Sequence, residues 1–401
     1  MAVAARSPGD YAPAAGGRAI EALRAAAEPL RAVRVLHVTV AGAEGRVPEE
    51  LGGLLPLAAG CGVQVEWRVL FGSPELRTVA AALGAGLRGS ESAIAEGDRD
   101  AVLEGAERVG RSLRGDHDLV VLHDAALLLA PGLDCPAVWR CHEDASRAEG
   151  EALRLVAALA GACALVLVSD GPHAPELGQQ PPVLTAAPGI DPLDPRNIEV
   201  EPRLPGRLVR PLGVDLDRPF CLQVLELDRW DDPHPAIEAH RLARRERPEL
   251  QLVLAAVLEA AAGDDWRAAK EISDLTAGAE DVLLLTSYEG LGSLEVGALQ
   301  LLARVVIERS LRPGFDLAPC EALWKRTPVL SGRSPVVRHG VDGFVTPGDA
   351  DIAARLAELV ADPGLAAELG RSGRERVRER FLVTSALERE LRALAGTVTS
   401  A

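Results

Sequence analysis

The sequence predicts an α/β protein made of two doubly wound units. Three observations carry that prediction. From Arg34 onward, short Val- and Leu-rich runs alternate with longer amphipathic segments, as parallel strands joined by helices do. The alternation is interrupted once, from Ala186 to Pro219, by a proline-rich stretch without periodicity. The 401 residues suffice for two or three compact domains.

In chain order, the first strands are expected at Val35 to Val40, Val63 to Leu70, Leu119 to Leu122, Ala137 to Arg140 and Ala164 to Val168. Each is a short apolar run bounded by polar or turn residues, and helices such as Asp98 to Leu113 lie between them. After the proline-rich stretch, strands resume at Phe220 to Leu225, Leu252 to Ala256, Val282 to Thr286, Val305 to Glu308 and Pro328 to Leu330. The segment from Asp349 to Ala395 is helical by pattern. Its GRSGRERVRERF run reads as a solvated face supported by i,i+4 pairs rather than a nucleic acid patch. The domains are therefore placed at residues 1–186 and 220–375, with a connection over 187–219 and a terminal helix over 376–401.

Composition narrows the function classes. Hydrophobic residues at 48% and charged residues at 25% exclude extensive disorder. A net charge of -16 repels nucleic acid phosphates and anionic membranes, so neither is an expected partner. The longest apolar stretch, Leu155 to Val168, is shorter than the roughly 18 residues of a membrane span. With no secretory pattern at the start, a cytoplasmic location is expected. Cys61, Cys135, Cys141, Cys163, Cys221 and Cys320 are scattered without C-x-x-C spacing, so they read as buried small residues, and neither a metal nor another cofactor is expected.

Open α/β sheets expose functional groups at the carboxyl ends of their strands. His123 and Asp124 follow LVVL, where the pair can hydrogen-bond hydroxyl groups or orient a proton; capping of the next helix is the structural alternative. Trp139, Arg140, Cys141, His142 and Asp144 follow another strand and combine an aromatic ring with an imidazole, a guanidinium and a carboxylate, a mixture suited to a polyhydroxylated ring. Packing alone would account for Trp139 and Cys141. In the second half, Arg309 ends a strand, Pro313-Gly314-Phe315 makes a turn, and Glu321 lies near a helix N-terminus, where the helix dipole alone favours a carboxylate.

The segments WRCHEDAS, GIDPLDPRN, LDRWDDP, GSLEVGALQ and ERSLRPGFDLAPCEALWKRTPV, in that order, resemble the trehalose glycosyltransferring synthases, retaining family 4 glycosyltransferases that use nucleotide sugars. The resemblance runs from about RVLHV to the terminal helix. It implies the GT-B fold, two facing Rossmann-like domains with the last helix packing back toward the first. It also implies transfer of glucose from a nucleoside diphosphate sugar to a second sugar. Acceptor binding would fall to His123, Asp124, Trp139, Arg140, His142, Asp144 and Asp191.

On the donor side the chain departs from that family. Glu44-Gly45-Arg46 stands where three glycines are expected, Glu226 where an Arg is, Asp231 where a Lys is, and Pro313 replaces the first Glu of the E-x7-E pair while Glu321 keeps the second. Each unit charge pair at about 6 Å and an effective dielectric near 20 is worth roughly 3 kcal/mol, so two reversals work against a diphosphate by several kcal/mol. Arg229, Arg309 and Arg312 are the cations placed to compensate. Three readings follow: a transferase with altered donor use, a non-catalytic descendant that binds a sugar or a protein, and a pseudo-glycosyltransferase that joins non-sugar units. The partners expected are a nucleotide sugar or related donor, a sugar or small-molecule acceptor, and a second copy in a homodimer.

Overall fold

The computed structural model describes residues 3–40, 47–71, 74–89, 107, 109–111, 113–130, 132–148, 150–178, 181–225, 232–256, 265–279, 281–309 and 315–399. The chain divides into two compact units. The first holds the chain up to Asp191 together with Phe315 and the residues from Phe381 onward; the second holds the rest from Pro192 to Arg380.

The first unit contains β1 (Arg34–Val40), β2 (Gln64–Leu70), β3 (Leu119–Leu122), β4 (Ala137–Cys141), β5 (Leu165–Val168) and β6 (Val183–Thr185). They form one sheet in the order β2-β1-β3-β4-β5-β6, and every pairing is parallel. Its helices are α1 (Ala12–Ala15), α2 (Gly17–Ala27), α3 (Val47–Gly60), α4 (Pro74–Leu87), α5 (Gly150–Ala160) and, from the far end of the chain, the helix Val383–Thr399. One sheet face packs Leu36, Val38, Leu122, Trp139 and Val166 into a core with Leu83 and Leu87 of α4. Strand order reverses between β1 and β3, so their carboxyl ends diverge into a crevice.

The second unit contains α6 (Leu204–Val209), β7 (Phe220–Leu225), α7 (His234–Ala243), β8 (Gln251–Ala256), α8 (Asp265–Thr276), β9 (Val282–Thr286), α9 (Ser293–Leu302), β10 (Val305–Glu308), α10 (Ala318–Trp324), β11 (Val329–Ser331), β12 (Gly343–Val345), α11 (Asp349–Ala361) and α12 (Pro363–Arg380). The sheet order is β12-β11-β10-β7-β8-β9, again wholly parallel. Most of these strands are deeply buried and read as apolar runs, which made them legible; β2, half-buried along its length, and β9 complete the ten that were. β6 and β12 were not, because three residues at a sheet edge carry no run.

The final helix, α13 (Val383–Thr399), packs on α2 and α3 within the first unit. Its entry is pinned by reciprocal bonds, Ile190 N–H to the Phe381 carbonyl and Val383 N–H to the Ile190 carbonyl, both 2.8 Å. The connecting stretch is not wholly irregular, since α6 forms inside it. Of the helix expected at Asp98 to Leu113, residues 107, 109–111 and 113 are helical and the others lie outside the described residues. The arginine run in α12 is no uniform solvated face. Arg374 lies 4.0 Å over the Trp324 ring and donates to the Trp324 carbonyl at 2.7 Å, Arg376 donates to the Val336 carbonyl at 2.6 Å, and Arg378 pairs outward with Glu375 at 2.7 Å. Among the described residues, no helix is long and apolar enough to cross a membrane. Five cysteines are buried and Cys135 is partly so.

Candidate functional site

A cavity of about 120 Å³ lies at the carboxyl ends of β1, β3 and β4, roofed by α4, and His123, Asp124, Trp139, His142, Glu143 and Arg88 line it. All of these belong to the first unit. Alternation along β4 decides what enters. Trp139 and Cys141 face the core beneath the cavity, whereas Arg140, although adjacent in sequence, turns to the opposite sheet face and brings its Nη2 3.6 Å from Glu50 Oε1 of α3. β4 extends to Cys141, one residue beyond the expected end, so Cys141 joins Trp139 and Arg140 in the strand and only His142 and Asp144 of that cluster lie in the loop that follows.

Asp124 is held at the cavity wall by the Val40 amide, which donates to Oδ2 at 2.8 Å. Burial pushes its carboxyl up to about 6 against the pull of that amide, and Glu143 adds to the rise. Arg88 pairs with Glu143 at 2.9 Å, so the wall carries one matched pair beside one costly carboxyl.

Three imidazoles from adjacent strands form a row joined edge to edge. His37 Nδ1 lies 3.1 Å from His123 Nε2, and His123 Nδ1 lies 2.9 Å from His142 Nε2. The ring centroids are 5.4 and 5.2 Å apart. At the end of the row, His142 Nδ1 is 3.6 Å from Glu50 Oε2. Burial drives His37 down to about 3; it also holds His123 well below its usual range, with His142, His37 and Arg140 adding, and does the same to His142, with Arg140 adding. The rings are neutral at physiological pH. Their nitrogens face one another, and no group of three or more metal-ligating side chains converges among the described residues.

The structure thus brings together His123, Asp124, Trp139 and His142. It places Arg140, Asp144 and Asp191 elsewhere. Asp144 caps the next turn through Ser146 N at 3.0 Å and Oγ at 2.5 Å. Asp191 receives Arg6 Nη1 at 2.6 Å and the Tyr11 hydroxyl at 3.3 Å, which ties down the N-terminal segment. Gly60 serves the same contact, because a Cβ there would overlap the Arg6 carbonyl.

In the second unit, Glu321 is 2% exposed, with Gln300 Nε2 at 3.4 Å and Arg196 Nη1 at 3.5 Å. Trp324 and Lys325 of the EALWK segment reach Asn197, through its carbonyl at 3.1 Å and its side-chain oxygen at 3.0 Å. Arg309 lies across Gly332 and donates to the Thr346 carbonyl at 3.2 Å. Glu44, Gly45, Arg46, Glu226, Arg229, Asp231, Arg312 and Pro313 lie outside the described residues.

Sequence reasoning missed His37, Glu50, Arg88 and Glu143. His37 had a faint signal: an imidazole in the middle of RVLHVTV, on the face shared with Thr39.

Two parallel six-stranded sheets with flanking helices define the GT-B glycosyltransferase fold. Solved structures agree. The α,α-trehalose 6-phosphate synthase of Burkholderia multivorans superposes with a TM-score of 0.71 at 12% identity, over 92% of this chain and 98% of that one. An Anabaena HepE protein solved with UDP and glucose gives 0.63 at 17% identity, over 92% and 100%. The family model described as the trehalose synthase N-terminal domain matches residues 37–174. A trehalose synthase of Rubrobacter xylanophilus is 32% identical over 91% of both chains. The chain belongs to the trehalose synthase family of glycosyltransferases.

Proposed function

We propose that the chain transfers a glucose-like group from a nucleotide-type donor to a hydroxyl of a sugar or small-molecule acceptor, with retention at the anomeric carbon. The observation that carries this reading is the cavity at the strand-order reversal of the first unit, which sets a half-buried carboxyl, an ion pair and an aromatic edge around a space of sugar-fragment size. Both ring nitrogens of His123 are engaged by neighbouring imidazoles, so an acceptor hydroxyl donates to Asp124 instead. Transfer on one face needs no acid-base pair from the protein: the departing phosphate takes the acceptor proton while fixed positive groups stabilise the charge that develops.

The Anabaena protein was solved with UDP and glucose, and a nucleoside diphosphate sugar is the donor class proposed here. Glu226 and Asp231, in place of two family cations, leave its diphosphate weakly held. Calorimetric titration with UDP, ADP, GDP and their glucose conjugates tests the reading. Binding of one of them, strengthened in the Glu226→Arg, Asp231→Lys double variant, is the expected result. No binding by any of them to either protein, with no transfer, would overturn it in favour of a non-catalytic sugar-binding descendant.

A further inference from the structure

We propose that Glu50 and His37 are positioning residues: Glu50 fixes the tautomers of His123 and His142, and His37 occupies Nε2 of His123, so that the cavity meets its ligand with two neutral rings that offer it no N–H. The functional half of this inference rests on the sugar-acceptor reading of the cavity; the tautomer half does not.

A neutral imidazole carries one N–H and one lone pair. Two such rings with nitrogens 2.9 or 3.1 Å apart share a single proton, so a row of three has only two self-consistent polarities. In one, all three rings carry the proton on Nδ1: His37 donates to His123, His123 donates to His142, and His142 turns its Nδ1–H toward Glu50. In the other, all three carry it on Nε2, and the bare Nδ1 lone pair of His142 faces the Glu50 carboxylate at 3.6 Å. Lone pair against carboxylate is repulsive, so Glu50 selects the first polarity for the whole row.

Charging a ring instead is opposed by burial and by Arg140, and Glu50 is the charge that pulls the other way on His142. His37 is 2% exposed and His123 6%, and the Arg140 guanidinium stands 3.6 Å from the same Glu50 carboxylate. Glu390 of α13 adds a buried carboxyl near Arg140. The consequence for the cavity is direct. His123 uses Nδ1 and Nε2 within the row and His142 uses Nε2 there, leaving Asp124 as the acceptor for a ligand hydroxyl. His37, deep in β1 and absent from the cavity lining, contributes by taking up His123 Nε2.

The test is nitrogen-15 spectroscopy of the full chain with labelled histidine. The wild type is expected to show three of its eight histidines in the Nδ1–H pattern, unchanged between about pH 5 and 8, where exposed histidines titrate. Glu50→Leu removes the carboxylate that selects the polarity; His123 and His142 are then expected to lose the uniform Nδ1–H pattern, whereas in His37→Leu, which leaves Glu50 in place, both rings are expected to keep it. Glu50→Gln, whose amide oxygen can still accept from His142 Nδ1–H, is expected to restore the pattern. An Nε2–H pattern in the wild type, which needs no variant to fold, overturns the proposal, as does a Glu50→Leu protein with unaltered tautomers. The expected tautomer pattern in a wild type that transfers nothing supports the positioning role and overturns only the sugar reading.

Discussion

Asp124→Asn separates the cost of a functional carboxyl from its use. In the native chain the group is raised from 3.8 to about 6 by burial. A shift of about two units corresponds to about 3 kcal/mol between ionised and neutral forms, and partial exposure at the cavity wall lowers the net effect to about 2 kcal/mol. Between pH 3.8 and about 6 the unfolded chain has lost the proton that the native chain keeps, so the native state binds more protons and stability falls as pH rises through that window. Above about 6 the loss is complete.

Asparagine cannot ionise, and its carbonyl still accepts the Val40 N–H. Asp124→Asn is therefore expected to be about 2 kcal/mol more stable than wild type near pH 7.5 and to match it near pH 4. Urea unfolding at both pH values, read by tryptophan fluorescence, measures the difference. A more stable protein that binds acceptor about tenfold more weakly would show a carboxyl retained for function at the expense of stability. An Asp124→Asn protein less stable than wild type near pH 7.5, or one with the wild-type pH slope, would refute the burial argument.

Other substitutions have equally definite outcomes. Glu390, raised by burial to about 7, loses stability as pH rises from 4.5 to that value, so Glu390→Gln should flatten the pH profile in that range while leaving the Asp124 contribution below about 6. Arg374→Ala, which removes the Trp324 stack and the Trp324 carbonyl bond, is expected to cost about 1–2 kcal/mol in urea unfolding; Arg378→Ala, on the outer face, should stay within about 0.5 kcal/mol. Gly60→Ala should push Arg6 off its seat and break the Arg6–Asp191 contact, seen as faster proteolytic trimming of the first dozen or so residues. Trp139→Ala is expected to cost about 3–5 kcal/mol, because the ring is core before it is cavity wall, so thermal melting should shift before any acceptor effect can be read.

Much of this protein was legible residue by residue. LVVL at Leu119–Leu122 and FCLQVL at Phe220–Leu225 are strands in full, since a strand buried on both faces is apolar at nearly every position, Gln223 being the exception, and that requirement is local. His123, Asp124 and His142 were found for the same reason: the end of such a run is visible, and parallel sheets expose function there. What was not legible depended on which faces meet. Trp139 and Arg140 are neighbours in the chain and lie on opposite sides of the sheet, because successive strand residues point to opposite faces and what covers each face is set elsewhere in the chain.

His37, Glu50, His142 and Glu390 come from two strand segments and two helices spread across most of the chain length. Their shared environment exists only once α3 and α13 cover the sheet. Arg374 and Arg378 belong to one charge run, and only the place of Trp324 separates a stacked guanidinium from a solvated one. Periodicity is a property of neighbours in sequence, and it sets the elements. Burial, desolvation and the direction of a shared proton depend on neighbours in space, and those are set by packing.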